Sequence, residues 1–160
     1  MEANKKTFDF HEIKTFEDAC KRLGISHVNC AYPAKGDVES FPQANALYKL
    51  LIIQKAMNNG VWRDKGGWGY YPYWFLYSKE DMERKSEKEK QEKGIKQLLS
   101  CSHAYGAAAG VRSALAGQRC EIAYTDSGYP FCFNSKEAAL YAAKQFENLF
   151  FDFYGIKVKK

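Results

Sequence analysis

The stretch Gly60–Tyr77, GVWRDKGGWGYYPYWFLY, holds all three tryptophans of the chain, Trp62, Trp68 and Trp74, together with Tyr70, Tyr71, Tyr73, Phe75 and Tyr77. No other window is as dense in aromatic rings. Rings that close a core bury ~150–250 Å² each. Rings left at the surface offer flat faces on which bases stack. Asp64-Lys65-Gly66-Gly67 is a turn sequence. Tyr71–Tyr77 then reads as a strand with bulky rings on both faces. Pro72 has no amide to donate, which places it near a strand start or on an edge.

Further strands are expected downstream. Residues 100–118 are mostly small, which suits close packing against the aromatic strand or a long surface loop. Gly106 and Gly110 are four apart, but no Gly-Lys-Ser/Thr follows, so the run is not a phosphate-cradling loop. Arg119–Thr125 alternates, with Cys120, Ile122 and Tyr124 on one side. Asp126-Ser127-Gly128 marks a tight turn, and Tyr129–Asn134 alternates again, so a β-hairpin is expected.

Helices flank these strands. Thr15-Phe16-Glu17-Asp18 has the form of a capping box, and Gly24 ends the short helix that follows. Ahead of it, Phe8, Phe10 and Ile13 suit an edge strand or an arm packed on the body. Pro42 suits a first helical turn. Leu47, Leu50, Leu51 and Met57, widened by Ala46 and Ile53, form a helical stripe that Asn58-Asn59-Gly60 ends. Ala138, Tyr141, Ala142, Gln145, Phe146, Leu149, Phe150 and Phe153 make a long last helix up to Gly155, beyond which the tail is expected to fray.

Lys79–Lys96 is almost entirely charged, yet seven basic residues stand against six acidic ones. Glu80/Arg84, Asp81/Lys85, Glu89/Lys93 and Glu92/Lys96 are four apart with the acid first, the favourable order on a helix. With Ser78-Lys79-Glu80-Asp81 as a second box, residues 79–97 read as a solvated helix or a mobile insertion.

Composition narrows the function classes. The chain has 160 residues, 46% of them hydrophobic, enough for one domain with a real core over 1–160. The net charge of +5 is compatible with nucleic acid but does not require it. No window approaches the ~18 apolar residues of a membrane span, and the start lacks the apolar run of a signal peptide. Five scattered cysteines suit free thiols in a reducing cytosol.

Candidate chemistry is sparse. Cys101, His103, Cys120 and Cys132 could supply four metal ligands, but they lack the paired-knuckle spacing of structural zinc sites. No local signature supports a Cys–His nucleophile, so no catalytic residue and no cofactor are expected. Rings beside basic residues point instead to a stacking surface. The candidate binding residues are Trp62, Arg63, Trp68, Tyr70, Tyr73 and Arg119, with Arg112 as a possible neighbour.

Ala46–Met57 (ALYKLLIIQKAM) with Asn58-Asn59-Gly60, then Tyr70-Tyr71-Pro72-Tyr73-Trp74, then Phe131–Phe146 (FCFNSKEAALYAAKQF) resemble a group of small phage and prophage-type proteins of Bacteroides-like gut bacteria. The opening Lys14–Leu23 (KTFEDACKRL) is similar too. The resemblance implies an α+β domain, a mobile-element origin, a bacterial cytoplasm and no known enzymatic activity. The expectation is therefore α+β. A small antiparallel sheet of about three strands (Tyr71–Tyr77, Arg119–Thr125, Tyr129–Asn134) packs on helices near 42–58 and 135–154, with Thr15–Leu23 closing one end. The expected function is a non-enzymatic binding or structural accessory protein with a protein partner and no membrane. The alternative is single-stranded nucleic-acid binding through residues 60–77.

Overall fold

The structure, a computed structural model, describes residues 8–26, 42–61, 68–101, 108–120 and 131–159. The opening arm lies on the body: Phe10–Glu12 is a turn of 3₁₀ helix, Ile13 is buried, and Phe8 and Phe10 pack against the core. Helix α1 (Phe16–Leu23) starts at the expected box. The Thr15 hydroxyl accepts from the Asp18 amide at 3.1 Å, and the Asp18 carboxylate accepts from the Thr15 amide at 2.9 Å. Hydrogen bonding to the carboxylate, from the Thr15 side chain foremost and from the Lys14 and Thr15 amides, holds the Asp18 carboxyl below its ordinary value. Gly24, at φ +65°, closes the helix, and the Ile25 amide reaches back to the Cys20 carbonyl.

Helix α2 (Pro42–Met57) is the central element, lying between α1 and the last helix. It buries more than a stripe. Ala46, Leu50, Ile52, Ile53, Ala56 and Met57 are all buried, and so is Gln54. Its last turns carry a polar clamp. Gln54 Nε2 and Asn58 Nδ2 both donate to the Cys132 carbonyl, at 2.7 and 3.0 Å. Asn58 Oδ1 accepts from the Asn134 amide at 3.1 Å. Phe133, between them, exchanges backbone bonds with Tyr70 at 3.0 and 2.7 Å.

The strands differ from the expected single sheet. The aromatic run breaks at Trp74–Phe75 into β1 (Trp68–Tyr73) and β2 (Leu76–Ser78), which belong to separate sheets. β1 pairs antiparallel with β5 (Leu115–Cys120), Tyr71 facing Gly117. β2 is an edge of a four-stranded antiparallel sheet of order β2-β4-β3-β6, with β3 at Lys96–Cys101, β4 at Ala108–Val111 and β6 at Ile156–Val158. The tail beyond Gly155 therefore pairs as β6 with β3 instead of fraying. The expected hairpin strand at Arg119 begins earlier, at Leu115, and residues 121–130 lie outside those described. In place of a strand at Tyr129–Asn134, the described part makes one bridge, Phe133 to Tyr70.

The charged segment forms α3 (Lys79–Arg84) and α4 (Glu87–Glu92), capped by Ser78 and Ser86. Both β2 and β3 run antiparallel to β4, so they are parallel to each other, and residues 79–95 carry the chain across β4. Two parallel strands need such a crossover. Met82 anchors it, lying where a Cβ on Gly110 would stand, and Ser113 Oγ donates to the Gly94 carbonyl at 3.1 Å. Of the expected acid-first pairs, Glu89–Lys93 forms, at 2.6 Å. Asp81 instead completes the Ser78 box, and Lys96 pairs with Glu147 on the last helix.

The expected long helix is two, α5 (Lys136–Gln145) and α6 (Glu147–Tyr154), parted at Phe146. They serve different neighbours: α5 lies on β1 and β5, α6 on α2 and β6. Buried alanines 138, 139, 142 and 143 let α5 come close to the β1–β5 ribbon. Asn58→Ala should cost about 1–3 kcal/mol, because it removes a buried amide that bonds both the Cys132 carbonyl and the Asn134 amide. Urea unfolding would measure it, and a cost near zero would mean the clamp is slack.

Candidate functional site

Alternation along β1 and β2 sorts the aromatic run into two faces. Tyr70 and Trp74 pack against the main core cluster, Pro72 is buried, and Leu76 packs against the second cluster of Leu98, Val111, Phe151 and Ile156. The Trp74 indole reaches both clusters, with ring centroids 5.1 Å from Phe150 and 5.8 Å from Phe151. The odd positions, Tyr71, Tyr73, Phe75 and Tyr77, form the other face.

On that outer face Tyr71, Tyr73 and Phe75 form a row of touching rings. The centroids of Tyr71 and Tyr73 are 6.0 Å apart, and Phe75 stands edge-on to Tyr73 at 5.4 Å. Phe75 is the most open of them, 49% exposed. Gly117 makes the row possible at its start, because a Cβ there would come within 2.8 Å of the Tyr71 ring. Cations flank the other end. The Arg112 amide donates to the Phe75 carbonyl at 2.9 Å, which, next to the pair Leu76–Val111, sets Arg112 beside Phe75 in the backbone register. Lys85 Nζ lies 4.9 Å from the Tyr77 ring centroid. Lys85 and Lys93 both donate to Glu89 Oε1, at 3.0 and 2.6 Å, and hold its carboxyl below the ordinary value, Lys93 more strongly.

The candidate binding residues fall apart on this geometry. Tyr73 stands in the row. Tyr70 lies on the core-facing side and is removed from the stacking set. Trp68 and Arg119 belong to the β1–β5 ribbon, Trp68 opposite Cys120 and Arg119 opposite Gly69. Trp62 and Arg63 lie outside the described residues. Phe75, Tyr77 and Lys85 were not singled out from the sequence, although the two-residue spacing of Tyr71, Tyr73, Phe75 and Tyr77 was its legible signal.

Other chemistry finds less support. Cys101 sits in β3 and Cys120 in β5, in different sheets; Cys132 is buried under the α2 clamp, and His103 lies outside the described residues. Among the described residues no three His, Cys, Asp or Glu side chains converge to hold a metal. No helix among them is long and apolar enough to cross a membrane. An open groove of about 640 Å³ between the crossover and the four-stranded sheet is lined by Lys79, Lys90 and Lys96 but also by Glu83 and Glu87, so it selects no sign of charge. Comparison with protein families, curated proteins and solved structures finds no match for this chain.

The two faces of the run should separate in stability measurements. Trp74→Ala should cost about 3 kcal/mol, the lower end of the loss for a large ring, because Trp74 is partly buried between the two clusters. Phe75→Ala should cost less than about 1 kcal/mol, as at other open positions. Chemical denaturation of both variants checks this, and similar losses would put Phe75 in the core.

Proposed function

We propose that the protein is a non-enzymatic binding protein that takes single-stranded nucleic acid along Tyr71, Tyr73 and Phe75. The observation that supports this reading most is the outward row itself: three rings in contact along one face of the run, with the Arg112 backbone bonded to that of the most open ring, Phe75. Each base presents a flat face, and stacking on an aromatic side chain contributes ~1–3 kcal/mol per base with little sequence preference. The net charge of +5 adds a general attraction for the phosphate backbone. A protein partner would favour a broad apolar patch. The tyrosine hydroxyls and the cations beside this row suit nucleic acid better.

The test is a fluorescence-anisotropy titration of short labelled oligo-dT and oligo-rU at about 50 and 200 mM salt. Wild type should bind, and more weakly at the higher salt. Phe75→Ala should bind about 5- to 150-fold more weakly, the equivalent of one lost stacking contact. No binding at low salt, or a Phe75→Ala variant that binds like wild type, would end this reading and leave the row to a protein partner.

A further inference from the structure

We propose that Lys85 and Lys93 form a phosphate subsite at the Tyr77 end of the ring row, occupied in the free protein by the carboxylate of Glu89. The ligand is a backbone phosphate of the single strand, so the inference rests on the nucleic-acid reading of the row. Two ammonium groups converge on one oxygen, Glu89 Oε1, at 3.0 and 2.6 Å. A non-bridging phosphate oxygen is also an anionic acceptor and seeks the same charge-assisted donors.

Position links this pair to the row. Tyr77 follows Phe75 in the two-residue spacing, and Lys85 lies over its ring. The Lys85 side chain is only 19% exposed, held between the ring and the carboxylate. Glu89 is more open, at 33%, and belongs to the short helix α4. These pairs are part-buried, and a phosphate that replaces the Glu89 carboxylate restores the same two charge-assisted donors to an anionic acceptor. A strand stacked on Phe75 then runs its backbone onto Lys85 and Lys93. Glu89 acts as an internal competitor that lowers affinity and demands an occupant able to replace it.

The same anisotropy assay tests this with matched variants. Glu89→Gln should bind about 3- to 10-fold tighter than wild type. Glu92→Gln, which removes an equally charged and more exposed side chain from the same helix, should change affinity less than about 2-fold. Lys85→Gln and Lys93→Gln should each weaken binding about 3- to 10-fold and reduce the salt slope by roughly 0.7, the value for one single-strand phosphate contact. Circular dichroism melting of every variant shows that each is folded. Equal effects of Glu89→Gln and Glu92→Gln, with Phe75→Ala still weakening binding, would overturn the subsite and keep the row. Tighter binding by Glu89→Gln alone, with Phe75→Ala silent, would keep the subsite and overturn the row. Silence of both wild type and Glu89→Gln would overturn both. Inorganic phosphate titrated alone against the amide NMR signals of residues 85 and 93 separates the sources. Saturation by phosphate with no oligonucleotide effect would overturn the nucleic-acid assignment.

Discussion

The amide clamp at the end of α2 is the constraint on which the arrangement of the other elements depends. Gln54 and Asn58 are buried polar groups, and a buried amide left without partners would be costly. They meet the backbone of Cys132 and Asn134, so α2 cannot shift along that segment without losing several bonds at once. The segment between them hands the register on. Phe133 bonds to Tyr70 on both sides, which fixes β1 relative to α2. Ser135, next in the chain, caps α5 by accepting from the Ala138 amide, so the same segment also sets where α5 begins.

Fixing Tyr70 inward decides the whole aromatic run. Strand side chains alternate, so a slip of one residue would move every ring to the opposite face. With Tyr70, Pro72 and Trp74 inside, Tyr71, Tyr73 and Phe75 must face out. Trp74 then joins the two core clusters through adjacent residues of α6, Phe150 and Phe151. The outer row is thus a consequence of core packing, with Tyr71 and Tyr73 on β1 and Phe75 on the two-residue connection to β2.

The charged crossover has a similar logic. Its helices are too short to be stable alone, yet they lie beside the sheet because the parallel strands β2 and β3 require a connection over β4. Gly110 leaves the space that Met82 fills, which seats α3 with a single apolar side chain. The remaining surface is free to be charged. Its lysines and glutamates neutralise one another along the helices, except where Lys85 also meets Tyr77 and Lys96 reaches Glu147.

Local chemistry was legible from the amino acids alone. Thr15 and Asp18, Ser78 and Asp81, Gly24 and Gly155 act within a few residues of themselves, so their caps and stops follow from short-range bonding. The apolar periodicity of α2 and α5–α6, the α+β class and the density of rings at 60–77 were legible for the same reason. Partition among sheets was not. The break at Trp74–Phe75, the pairing of the tail as β6 and the split at Phe146 are settled by partners far along the chain. Nor did composition say which rings face out, since both faces of the run are aromatic. That choice belongs to the tertiary structure, where a buried amide clamp on α2 holds Phe133 against Tyr70 and leaves the alternate rings to the solvent.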